Sequence, residues 1–309
     1  MKPCADNSVP ARISAHERVD APAVVTFLVV TSGAAWLITS PLRFSGLGLR
    51  TPGAGVILVA MMLAPTLGTL AVVGVLRRRP GTLRFTGVTS ERGVRSWLPW
   101  AVLAWLGPIV LVGLSLVLGA AVGVFHADLV SFSAFREVLG GRSAIPVQTL
   151  VLIQIAEVLV VGWINVIPAL AEEWGWRGWL LPALLPLGRW PAILLVGVVW
   201  GLWHAPIVLL GYNFPLEPAP LRVLLMVGFC VATGSLLGWL RLRSDSVWPC
   251  AIGHGFVNAA AGLPIVLAAA GHPIDNATTG LLGWTGWVVM ALALGVAALV
   301  PRQTVLTGR

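Results

Sequence analysis

Apolar runs recur along the chain at residues 23–41, 54–76, 97–122, 146–174, 191–211, 221–240, 247–270 and 280–300, separated by short polar connections. Each approaches the ~20 apolar residues that an α-helix needs to cross the hydrocarbon core of a bilayer. The pattern predicts an all-α, polytopic integral membrane protein of about eight transmembrane helices. The expected layout is a polar tail over 1–22, N-terminal transmembrane helices over 23–145, a second helical unit over 146–301 and a C-terminal tail over 302–309.

Polar residues that interrupt these runs are the informative ones, because a charge at bilayer depth costs about 2.5–3.5 kcal/mol on the insertion scale. The stretch Ile167–Leu181 carries Glu172, Glu173 and Arg177. On a helix Glu173 and Arg177 are i,i+4 neighbours and pair, whereas Glu172 points about 100° away and is left free. Pro168 suits the first turn of a helix, and Gly175 and Gly178 leave room for another helix to approach. Trp200 and His204 share a face one turn apart, as do His254 and Asn258. Four polar groups on three helices must find one another or face lipid, so they are expected to converge on one polar cavity in the bundle, opening toward the cytoplasm. Gln154, Glu157 and Asn165 are further polar groups on the fourth run, where a local hydrogen bond is the expected use of Glu157. His16, His126 and His272 fall in the tail and loops and are expected to be solvated.

Composition agrees with a membrane location: of 309 residues, 57% are hydrophobic and 10% charged, against roughly 25% charged in soluble domains. The net charge of +8 has no basic domain to gather it, which argues against a nucleic-acid partner. The basic residues flank the apolar runs instead. With the N-terminus inside, only Arg43, Arg50, Arg136, Arg142 and Arg222 of the 20 Lys and Arg fall on outer connections, so the bias places both termini in the cytoplasm. A second crossing within 147–184 would erase that bias, so the segment is expected to cross once and continue as a partly buried helix. Residues 83–97 are expected either as an interfacial helix or as a solvated loop, and 123–145 as the longest outer loop. Cys4, Cys230 and Cys250 suggest packing rather than a disulfide framework or a Cys-rich metal site. No phosphate-binding loop or dinucleotide glycine pattern is present.

The motifs Glu172-Glu173-x-x-x-Arg177, Trp200-x-x-x-His204 and His254-x-x-x-Asn258, in this order on apolar helices, resemble the CPBP (CAAX protease and bacteriocin-processing, Abi) family of intramembrane proteases, which includes the type II CAAX prenyl endopeptidases. The resemblance covers roughly residues 147–262 and makes 146–301 the catalytic helical core. Position 200 departs from it, being tryptophan where phenylalanine is usual. The resemblance implies an endopeptidase acting on membrane-associated peptides or proteins, prenylated CAAX-like or bacteriocin-type, in a bacterial plasma membrane. It also implies that Glu172 and His204 activate water, that His254 and Asn258 donate to the oxyanion, that Glu173, Arg177 and Trp200 support them, and that no cofactor is needed. Two alternatives stay open: Glu172, His204 and His254 as zinc ligands, and a transporter or scaffold using the same buried groups without proteolysis.

Overall fold

The computed structural model describes residues 18–75, 82–90, 93–140 and 144–299. Cys4, His16, Arg77–Arg79, Arg92, Arg142, most of the 1–22 tail and the 302–309 tail lie outside the described residues. The described chain is helical, with only an isolated bridge between Ala127 and Ala268. Its longer helices are α1 (Ala21–Phe44), α2 (Ala54–Met61), α3 (Ala64–Leu70), α4 (Val94–Ala121), α5 (Val147–Glu173), α6 (Arg189–Trp203), α7 (Ala219–Ser244), α8 (Trp248–Ala260) and α9 (Trp284–Leu299). Helices thus occupy all eight apolar runs, α2 and α3 sharing the second.

Among the described residues five stretches are long and apolar enough to cross a membrane: Ala21–Phe44, Ala54–Gly74, Val94–Ala121, Val147–Leu187 and Ala219–Ser244. The helices α6 and α9 are shorter apolar ones, and α8 is almost wholly buried. Helix α1 shows how burial is divided. Its N-cap, Asp20, accepts from the Ala23 amide at 3.3 Å. Its buried residues, Ala23, Phe27, Thr31, Ala35, Thr39 and Leu42, form one stripe. The other side, with Val25, Val29 and Leu37 exposed, is as apolar as the first, which suits lipid and not water.

Small residues let the bundle close. A side chain at Gly197 or Gly201 of α6 would meet the backbone of Val231 or Val227 of α7. Gly255 of α8 lies against the backbone of Asn165 and Val166, and Gly162 of α5 against the Phe256 ring. These contacts make α5 and α8 an antiparallel pair, with α8 also packed on α4 and α7. Gly175 abuts Pro65 of α3, and Gly178 meets Thr86 and Trp174, as their size led one to expect.

Two local readings are corrected and one is refined. Pro168 lies inside α5, not at a helix start; packing on α8 carries the helix through it, and only one ladder hydrogen bond is lost. Beyond Glu173 the helix widens into π-type turns over Trp174–Leu180 and ends in a short helix, Leu181–Leu184. Finally, within the 83–97 region, Thr82–Phe85 form one short helical turn, residues 94–97 begin α4, and the described loop between is not simply solvated, Thr86 and Gly87 being buried. Phe85, Gly87 and Val88 give their carbonyls to Arg241, to Val247 N and Ser246 Oγ, and to the Trp248 indole. The loop is therefore docked beneath the α7–α8 turn.

At the other end, the connection after α4 joins the one after α8: Asp128 N donates to Leu267 O and Ala269 N to His126 O, both within 2.9 Å. His126 and His272 are exposed as expected, but their rings stack with centroids 3.9 Å apart.

Candidate active site

The end of α5 brings Glu172 and Glu173 into the bundle, and both carboxylates are buried. Glu173 pairs with Arg177 as the spacing predicted, Oε1 to Nη1 at 2.7 Å. The same Oε1 lies 3.0 Å from His254 Nδ1. Arg177 is itself 1% exposed and lies 4.4 Å from the centroid of the Trp200 ring. One carboxylate thus ties the end of α5 to α8 through His254 and to the turns that follow through Arg177.

Glu172 is free of ion pairs but not of hydrogen bonds. The indoles of Trp200 and Trp176 both donate to its Oε2, at 2.9 and 3.3 Å. Tryptophan at position 200 therefore supplies an N–H that phenylalanine would lack, and Oε1 is the oxygen without a donor among the described residues. His204 is the residue at which α6 ends, with its Nδ1 2.8 Å from Trp200 O. A carbonyl accepts only, so Nδ1 carries the proton there and Nε2 is the remaining nitrogen. Cys230 Sγ lies 3.8 Å from the same Nδ1; Cys230 and Cys250 are both buried and free.

One cavity of about 360 Å³ is lined by Glu172, Trp200, His204, His254 and Asn258 together. Glu173 and Arg177 sit behind it, beneath Trp200. The cavity is lined further by Asn165, Tyr212, Asn213 and Asn276, of which sequence reasoning noticed only Asn165 and gave it no place in the site. Glu157 is remote from this cluster and accepts from Gln154 at 3.2 Å, the local hydrogen bond expected of it.

His204 ends α6, Asn258 lies in the last turn of α8, and the connections that follow each helix contribute Tyr212, Asn213 and Asn276 to the wall. These are the basic-poor connections.

Among the described residues no three His, Cys, Asp or Glu are placed to hold a metal ion.

A second buried cation was missed. Arg241, 1% exposed, contacts Arg177 O and Phe85 O, each at 3.1 Å, and Asp245 at 3.4 Å. Read as a loop charge, it is a staple between α7, the π-type turns and residues 82–90. The only sequence signal was its position one turn before Asp245.

Residues 153–260 match a family model described as Type II CAAX prenyl endopeptidase Rce1-like. The matched segment runs through α5, α6, α7 and α8, the four helices that carry every residue of the polar cluster, and supports the CPBP/CAAX protease family. It covers about a third of the chain. No curated protein matches the chain.

Proposed function

We propose, from a family match confined to the helices that build the polar cavity, that this integral membrane protein is a glutamate-type intramembrane endopeptidase. The observation that carries the reading is the environment of Glu172: a carboxylate with two indole donors on one oxygen and none on the other among the described residues, on the wall of a cavity large enough for a peptide segment. Glu172, assisted by His204 through Nε2, takes a proton from a water molecule as its hydroxyl adds to the scissile carbonyl carbon. Charge builds on the carbonyl oxygen, and Asn258, a neutral donor and a poor base, is suited to receive it with His254. Collapse breaks the C–N bond, and the proton held by Glu172 passes to the leaving amine, so an acid and an amine leave.

One observation favours a second assignment for His254. With Nδ1 against the Glu173 carboxylate, neutral His254 presents a lone pair at Nε2, and only the imidazolium presents a donor. A Glu173-oriented His254 acting as the base is the alternative, and it shifts the essential carboxylate from Glu172 to Glu173.

Substrates are membrane-associated peptides or proteins, prenylated CAAX-like chains among them. The charge bias favours cytoplasmic termini, in which case the connections that bear Tyr212, Asn213 and Asn276 lie on the opposite side; reporter fusions placing Arg243 and Asp275 on the same side would remove that topology. The protease reading is tested by purifying the protein in detergent and following cleavage of membrane-associated peptides, prenylated and not, with and without a chelator. Cleavage that persists under chelation supports the glutamate mechanism. Cleavage lost on chelation and restored by zinc overturns it.

A further inference from the structure

Four titratable side chains line the cavity among the described residues: Glu172, His204, His254 and Tyr212. The first three come from the polar stations of the membrane helices. Tyr212, the single tyrosine of the chain, comes from the connection between α6 and α7. The donor side of the cavity has room for it. With Nδ1 3.0 Å from Glu173 Oε1, neutral His254 has only a lone pair at Nε2. Asn276 is spent, since its Nδ2 donates to Asn213 O at 2.6 Å. A developing oxyanion is stabilised by fixed donors aimed at it, and of the residues assigned so far Asn258 alone supplies a neutral one.

The connection that carries Tyr212 is fixed on both sides of it. Gly211 and Asn213 take left-handed conformations, with φ of 97° and 64°, which glycine adopts freely and asparagine more readily than most residues. The chain thereby turns back on the end of α6: Tyr212 N donates to Ile207 O at 3.2 Å, and Tyr212 O accepts from Phe214 N at 2.8 Å. Phe214 is buried just beyond. Arg222 of α7 donates to the carbonyls of Leu209, Pro215 and Glu217, and the Asn276 bond joins the turn to the connection after α8. The Tyr212 hydroxyl itself has no hydrogen-bond partner among the described residues, although the side chain is half-buried. Burial, and after it the charge of Glu172, push this phenol up. It is therefore a proton donor at neutral pH, within electrostatic reach of Glu172.

We infer that Tyr212 is a further catalytic residue, whose hydroxyl donates to the carbonyl oxygen of the scissile peptide group beside Asn258. This rests on the protease reading for the identity of that oxygen, and it holds whether Glu172 or His254 is the base. The probes are a neutral apolar peptidyl difluoromethyl ketone, which hydrates to a tetrahedral diol, and the matching peptide amide. Both are titrated calorimetrically into the full chain in detergent, and cleavage of an extended peptide is followed by mass spectrometry in the same preparations. The parent should bind the ketone more tightly than the amide. Tyr212→Phe, which keeps the ring and the turn, should lose ~10-fold or more of the ketone affinity with the amide affinity unchanged. Its cleavage should fall by ~10²-fold in kcat at unchanged KM. A second readout needs no variant: with isotope-labelled tyrosine the chain gives one phenol resonance, which should move further on adding the ketone than on adding the amide. A Tyr212→Phe protein that keeps the ketone preference, or a resonance that the ketone leaves unmoved, overturns the inference, and the protease reading stands if the parent cleaves. Loss confined to Asn165→Ala, which deletes a competing amide on the wall, overturns it as well, as does a parent without ketone preference. A ketone preference lost in Tyr212→Phe, in a protein that cleaves no peptide, sustains the donor and removes the protease reading.

Discussion

Replacing Glu173 with glutamine tests whether the buried pair holds together the helices that carry the polar cluster. Glutamine is isosteric, its carbonyl can still accept from Arg177 and His254, and its amide falls where Glu173 Oε2 has no partner. The shape is kept, and the charge that compensates Arg177 is lost. Breaking one side of a buried pair costs about 3–5 kcal/mol. The Trp200 face, 4.4 Å from the guanidinium, is the same in parent and variant and does not enter the difference. Glu173→Gln should therefore lose about 3 kcal/mol. Adding Arg177→Met, which removes the orphaned charge, should recover most of it. Equilibrium unfolding in mixed detergent micelles of the parent, both single variants and the double variant gives the coupling energy directly. A Glu173→Gln variant within about 1 kcal/mol of the parent, or additive single and double losses, would refute the argument.

Other consequences are checked in the same way. Arg241→Met should destabilise by about 3 kcal/mol, since it leaves the carbonyls of Arg177 and Phe85 without a charged donor, and should expose residues 82–90 to protease. Trp200→Phe keeps the ring but removes the 2.9 Å donor to Glu172; cleavage should fall by ~10-fold with peptide binding unchanged, and an unaltered rate would show that the indoles do not hold the carboxylate. Asp128 accepts from Ser133 Oγ, Ser131 N, Ser133 N and Val130 N, and these bonds hold its carboxyl well below the usual range, led by the Ser133 hydroxyl. A depressed carboxyl stabilises the loop fully above its ordinary value of about 3.9 and loses that contribution as pH falls below it. Amide exchange at Ser131 and Ser133, corrected against an unprotected peptide, should be flat from neutral pH down to that value and then rise, and Asp128→Ala should abolish the dependence.

Hydropathy made the helices legible because lipid asks for length and apolarity, and both are properties of the chain itself. The ion pair between Glu173 and Arg177 was legible for the same reason: an i,i+4 pair lies within one helix. What sequence could not carry was the partner of each remaining atom. Trp200 and Glu172 are 28 residues apart, and Glu173 and His254 are 81 apart; nothing local says which of two adjacent carboxylates meets which histidine. Arg241 read as a loop charge because an arginine at a helix end ordinarily reaches water, and only a carbonyl cradle from residues 85 and 177 makes it a buried staple.

The central claim is that Glu172 is the proton acceptor, and the most direct measurement compares single-turnover cleavage by the parent, Glu172→Gln and Glu173→Gln at equal folded fraction. Glu172→Gln keeps the shape and removes the base, so the chemical step should fall by ~10²-fold or more, while unfolding remains close to that of the parent. Glu173→Gln should lose stability first and, once corrected for folded fraction, retain more of the rate. A Glu172→Gln protein that cleaves as fast as the parent would contradict the account, and loss confined to Glu173→Gln would move the base to His254.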